Sequence, residues 1–312
     1  MESILFTISI FFLLFNSIGT AGELLINKVS ANSSDVFPNT FVLANNKFTP
    51  YRLQGTEDFD SKNITAQSFL VVDEKTGRFL EKNNIQEVHS IASITKLMSV
   101  LVWLEVLGDL NQEVVIKAED YREGGIAYFI AGEHVLAKDL LNVGLVASSN
   151  SAIAALVRSS GLTEAEFVGL MNKTARSWGM DNTVFVEPTG LNAKNVSTAR
   201  ELYILAREAF NNKVMKDVLV KEGYSFQPIG KSVVRSVKNT NWLLGNTSNY
   251  KIVGGKTGYI EESGYNFIIK GYNKEKDANL YTIILGSENI ESRFNEADIL
   301  INWVFDNYSW KL

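Results

Sequence analysis

The spacing of apolar and polar residues changes character several times along the chain. Ile4 to Phe15 is apolar apart from Thr7 and Ser9, and the small residues Gly19-Thr20-Ala21 follow. This predicts an export segment over 1–22, either cleaved or kept as an N-terminal anchor, although Met1-Glu2-Ser3 lacks the basic residue such segments usually carry. Residues 23–65 are polar and asparagine-rich with scattered aromatics, and read as a leader or spacer that packs in part on the domain. From Ser68 the pattern is regular. Phe69 to Val72 predicts a strand, Asp73 to Gly77 a turn, and Arg78 to Leu80 the returning strand of a hairpin. Leu97 to Leu107 is apolar on nearly all sides, the mark of a helix buried within a domain.

Beyond it, Val114 to Ile116 reads as a short strand, while Ala137 to Val146 and Ser151 to Val157 carry helical spacing. Thr163 with Glu166 makes a capping box for a helix stopping at Gly179, and Thr198 with Glu201 caps another running to about Phe210. Then the period returns to two: Ser232 to Val237, Lys251 to Val253, Phe267 to Tyr272 and Leu280 to Leu285 are strand-like. Arg293 to Asn307 closes with an amphipathic helix. Strands at both ends with helices between them predict an α+β domain over 66–312. Its antiparallel sheet is built from both ends of the chain, covered by the last helix, with an all-helical lobe inserted at about 105–225. The cleft between sheet and lobe is where a site belongs.

Composition narrows the chemistry. The 312 residues hold no cysteine, which excludes disulfides, thiol catalysis and thiolate metal sites, and a net charge of −5 gives no basic face for nucleic acid. No residue pattern asks for a cofactor or metal. Three short motifs remain. Ser93-Ile94-Thr95-Lys96 opens the buried helix, so a hydroxyl and an amine share one face. Ser148-Ser149-Asn150 lies in the break between two helices and, alone, reads as a cap. Lys256-Thr257-Gly258 follows a strand and, alone, reads as a turn. It is not a phosphate loop, because that pattern needs glycine where Tyr250 stands.

Taken together and in this order, the three motifs resemble the signature set of the penicillin-binding proteins and serine β-lactamases. The chain resembles in particular the D-alanyl-D-alanine carboxypeptidases of peptidase family S11, from about Ser68 to Tyr308. Further matching segments are Ala131-Gly132-Glu133, Phe185 to Leu191 and Tyr259. Glu187 stands where the family usually has aspartate, and is expected to carry no catalytic role. Larger members add a C-terminal β domain and anchor helix, so the likeness is to the short members. The resemblance implies a β-lactamase/DD-transpeptidase-like fold and a serine peptidase acting on peptidoglycan stem peptides, with β-lactam antibiotics as covalent inhibitors. It places the enzyme in the periplasm or on the outer face of the cytoplasmic membrane or cell wall. Membrane contact would come only through the N-terminal segment, if uncleaved.

It also implies roles. Ser93 is the nucleophile and Lys96 its base, which must be neutral and therefore needs its pKa lowered by burial and a second cation. Lys256 is the candidate cation. Ser148 relays protons, Asn150 holds Lys96 and the substrate amide, and the backbone N–H groups of Ser93 and Tyr259 form an oxyanion hole. Thr257, Gly258 and Tyr259 line the substrate strand. Arg293 takes the terminal carboxylate, with a solvated helix-start arginine as the alternative. His89 and His134 are read as surface or packing residues. Three other functions compete. A DD-endopeptidase would cleave cross-links with the same chemistry. A class A-like β-lactamase is disfavoured because Glu187 to Asn192 is one residue too long for its deacylating loop. An inactive cell-wall-binding module should have lost at least one of the five polar residues.

Overall fold

The computed structural model describes residues 49–310; the predicted export segment and most of the leader lie outside them. The sheet has five antiparallel strands: β1 (Ser68–Asp73), β2 (Phe79–Asn83), β3 (Lys251–Ile260), β4 (Gly264–Asn273) and β5 (Ala278–Ser287), in the order β3-β4-β5-β1-β2. The two ends of the chain meet at its centre, where Leu280 to Leu285 of β5 pair with Asp73 to Ser68 of β1.

Successive side chains of a strand point to opposite faces, and here both faces are covered. Leu70, Val72, Ile268 and Ile283 join the helices in one core; Phe69, Val71, Phe267 and Ile284 join the C-terminal helix in another. That explains why β1 is buried at every residue and reads as an unbroken apolar run.

The helices are α1 (Thr95–Val106), α2 (Ala137–Val146), α3 (Asn150–Ser159), α4 (Glu164–Ser177), α5 (Ala199–Asn211), α6 (Met215–Val218) and α7 (Ser292–Asn307). Local capping chemistry sets several ends. Thr163 and Glu166 exchange side-chain-to-backbone bonds of 3.3 and 2.9 Å at the start of α4. Thr198 caps α5, but Glu201 turns away from it to accept from Thr183 Oγ1 at 2.6 Å and Asn182 N at 2.9 Å. Among the described residues no helix is long and apolar enough to cross a membrane.

Two features differ from the sequence reading. The stretch between the sheet halves, expected to carry an all-helical lobe at about 105–225 with strands only at Val114 to Ile116 and Ser232 to Val237, holds three small strand pairs: His89–Ser90 with Val196–Ser197, Glu113–Val115 with His134–Leu136, and Gly223–Phe226 with Arg235–Lys238. The strand expected at Lys251 to Val253 runs on to Ile260, so Lys256-Thr257-Gly258 lies within β3. Part of the stretch read as leader packs on the domain, in line with the sequence reading. Tyr51–Arg52 pairs with Tyr308–Ser309, and the buried Glu296 of α7 accepts from Thr65 N (2.8 Å), Thr65 Oγ1 (2.5 Å), Ala66 N (3.2 Å) and Ser287 Oγ (2.6 Å).

Candidate active site

Ser93 sits in a single 3₁₀ turn, Ala92–Ile94, immediately before α1. Ala92 has φ +46°, an uncommon conformation for a side-chain-bearing residue and a local strain. Two glycines hold this turn from either side. A Cβ on Gly258 of β3 would lie 2.8 Å from Ile91 O and 3.3 Å from Ser93 N. One on Gly190 would lie 2.0 Å from Ala92 O. Neither approach tolerates a side chain.

Lys96 is one helical turn beyond Ser93 and has no exposed surface. Its Nζ is within 2.6 Å of Ser93 Oγ, 2.7 Å of Asn150 Oδ1 and 2.5 Å of the Thr189 carbonyl. As an ammonium it would donate all three bonds; as a neutral amine it would accept from the Ser93 hydroxyl and donate the other two. Burial lowers its pKa to about 7, against the pull of the Glu187 charge. The sequence reading assigned this lowering to the second cation as well as to burial. Instead, the repulsion falls on Lys256, whose pKa drops well below the usual lysine value through burial, then Lys96, then Arg293. Both amines are enclosed, so the cost of desolvating each charge outweighs their mutual repulsion.

Ser148 lies in the α2–α3 break at φ +57° and accepts from Lys256 Nζ at 2.8 Å. Lys256 is buried and also bonds the Thr257 carbonyl at 2.9 Å. The cap of α3 is the middle residue, Ser149, which accepts from Ala152 N at 3.3 Å. Capping therefore occupies neither Ser148 nor Asn150. Asn150 Nδ2 is fixed by the Glu123 and Gly124 carbonyls at 3.0 and 3.1 Å, which aims its Oδ1 at Lys96.

On the far side of β3, Thr257 Oγ1 shares a 2.6 Å bond with Thr240 Oγ1, and the half-exposed Tyr259 stacks on Tyr265 at 4.2 Å. Arg293 is not solvated, which removes the alternative. Only 5% of it is exposed, and its guanidinium lies 4.7 Å from the Phe294 ring and 5.4 Å from that of Tyr265. It donates to the Gly258 carbonyl at 3.2 Å, while its buried Nε has no hydrogen-bond partner among the described residues. Burial brings its pKa down to about 10, so it stays cationic at neutral pH. A buried cation with a donor to spare beside an open strand suits a carboxylate. His134 pairs with Glu113 at the surface and His89 contacts the Ser263 carbonyl at 2.8 Å.

Thr189 and Glu187 were not singled out by their chemistry. The Thr189 contribution is a backbone carbonyl, for which no sequence letter stands. Glu187 accepts from Thr189 N (2.7 Å), Thr189 Oγ1 (2.6 Å), Gly190 N (2.5 Å), Asn192 N (3.4 Å) and Asn195 Nδ2 (2.9 Å). A carboxylate two residues before a Thr-Gly pair was the available signal.

This architecture is shared with solved DD-peptidases. The DD-transpeptidase of Streptomyces K15 matches with a TM-score of 0.69 and 26% identity, over 78% of this chain and 98% of that one. The D-alanyl-D-alanine carboxypeptidase of Mycobacterium tuberculosis H37Rv matches with a TM-score of 0.73 and 25% identity, over 82% and 96%. The family model of the peptidase S11 D-alanyl-D-alanine carboxypeptidases matches residues 55–289, and the chain belongs to that family of serine hydrolases. The match starts within the stretch read as leader. The D-alanyl-D-alanine endopeptidase of Haemophilus influenzae is 33% identical over 224 residues, 71% of this chain and 76% of that protein. The D-alanyl-D-alanine carboxypeptidase DacC of Escherichia coli is 27% identical over 271 residues, 83% and 66%.

Proposed function

We propose that the protein is a D-alanyl-D-alanine carboxypeptidase that acts on peptidoglycan stem peptides outside the cytoplasm through an acyl-enzyme on Ser93. The observation that carries this is the 2.6 Å contact between Ser93 Oγ and a fully buried Lys96 whose pKa is about 7. Near neutral pH that amine is neutral in about half the molecules, which is what a general base requires. Ser93 Oγ attacks the carbonyl carbon of the terminal peptide bond and gives its proton to Lys96 Nζ. The tetrahedral oxyanion rests on the backbone N–H groups of Ser93 and Tyr259, donors of a kind worth about 2.7–4 kcal/mol each. When the C–N bond breaks, the leaving amine takes a proton delivered through Ser148, which Lys256 holds in place. Water then hydrolyses the ester and regenerates Ser93. Thr257 and Arg293 receive the terminal carboxylate, which selects substrates that end at the second D-alanine.

A second reading, DD-endopeptidase, is favoured by one observation: relatives named endopeptidases reach 33% and 30% identity, against 27% for DacC. The chemistry is the same and the substrate differs. Intact-mass spectrometry after incubation with benzylpenicillin, beside Ser93→Ala, tests the common mechanism. A single adduct on wild type alone supports it. Drug loss without a lasting adduct would indicate a β-lactamase, and a folded but unreactive sample would leave a binding module. Release of D-alanine from a linear pentapeptide, compared with monomer release from a cross-linked dimer, separates carboxypeptidase from endopeptidase.

A further inference from the structure

We infer that Glu187 is a positioning residue for acylation: its carboxylate holds the loop that lays the Thr189 carbonyl on Lys96, and its charge is the counter-charge facing that amine. The inference rests on the proposed roles of Ser93 and Lys96.

Five donors converge on the Glu187 carboxylate, from Thr189, Gly190, Asn192 and Asn195. A loop residue placed only for solubility would leave those oxygens to water. The loop so gathered is tied to α1 on both sides of Lys96. Asn195 Nδ2 donates to Thr95 Oγ1 at 3.1 Å, and Ser99 Oγ donates to the Pro188 carbonyl at 2.6 Å. Between these ties lie the Thr189 carbonyl on Lys96 Nζ and Gly190 against the Ala92 carbonyl. One side chain therefore governs the position of an acceptor on the base and of a backbone wall behind the nucleophile.

Electrostatics point the same way. Lys96 is faced by Lys256 from β3, by the neutral Asn150 from α3, by Ser93 from its own turn and by Glu187 from the loop; Arg293 acts on Lys256. Two buried amines and a buried guanidinium crowd the site, and Glu187 opposes the lowering that burial imposes on Lys96. Without it the amine would lose its proton at lower pH and bind Ser93 less firmly.

The test is the pH dependence of acylation by a fluorescent penicillin, measured per folded molecule in wild type, Glu187→Gln and Glu187→Asp. Glu187→Gln should move the midpoint down by roughly one pH unit, the low end of what a neighbouring charge imposes, and lower the maximal rate about tenfold. Glu187→Asp keeps the charge and shortens its reach by one methylene. It should keep the wild-type midpoint and lose about threefold or more of the maximal rate. A folded Glu187→Gln with an unmoved midpoint overturns the counter-charge role. If that variant does not fold, Glu187→Asp decides alone: a wild-type rate per folded molecule overturns the positioning role. Failure of wild type itself to acylate would instead sink the proposed function.

Discussion

Gly190→Ala offers a direct probe of how Ser93, the proposed nucleophile, is held. Gly190 has φ +86°, and a Cβ added there would lie 2.0 Å from Ala92 O, 2.3 Å from Ala92 C and 2.8 Å from Ser93 N. Restoring even 3.0 Å to the first contact displaces the Ala92 carbonyl or the 187–195 loop by 1.0 Å. Overpacking of this kind costs about 1–3 kcal/mol, and a left-handed backbone at a non-glycine residue about 1–2 kcal/mol more. For a domain of this size the melting temperature should fall by about 5–15 °C. The effect on chemistry should be larger in relative terms, because a 1 Å misplacement of reacting groups costs on the order of 10²-fold in rate. The assay is the acylation rate with a fluorescent penicillin, at a temperature where circular dichroism shows the variant fully folded. A folded Gly190→Ala that acylates within about threefold of wild type would refute the coupling of loop and nucleophile.

Three further outcomes follow from the geometry. If Lys96 is the base proposed above it must be deprotonated, and with a pKa of about 7 wild-type acylation should be half-maximal near that pH and fall about tenfold per unit below it. The same lowered pKa means that the folded state binds fewer protons than the unfolded one between about 7 and 10.5, so this group's contribution to stability rises with pH across that window. Urea unfolding at pH 7 and pH 9 should show a gain that Lys96→Met reduces. Glu296→Ala strands donors from Thr65, Ala66 and Ser287. It should cost about 3 kcal/mol or more by chemical denaturation, while acylation per folded molecule stays within about threefold.

Much of the fold was readable because it rests on local chemistry. The cap of α4 by Thr163 and Glu166 involves residues three apart, and the apolar run of β1 with the turn after it could be read without a distant partner. What escaped was set by close tertiary approach. Gly254, Gly255 and Gly258 look like breaks in a strand, yet β3 runs through them. Each faces something that leaves no room for a side chain: the Phe210 ring, the Asn241 amide and the Ile91 carbonyl. Glu201 completes a capping pattern on paper, but buried donors at Asn182 and Thr183 compete for its carboxylate. In the site, the motif residues could be listed from their letters. The reason Lys96 can be neutral was read in part: burial was expected, but that the repulsion between the two amines falls on Lys256 was not.

The sheet also imposes a schedule on the molecule. Residues 84–250 separate β2 from β3, and β5, the last strand of this sheet to be synthesised, lies in its middle between β4 and β1. Closing a loop of that length costs about 4–5 kcal/mol of chain entropy before any strand pairing offsets it. The helices between can form on local contacts, but β1 keeps an open edge with Phe69 to Val72 uncovered until β5 arrives. Lys256 and Gly258 are likewise absent from the Ser93 turn until β3 has been made. Reactivity at Ser93 is thus withheld from any nascent form that has not yet reached β3.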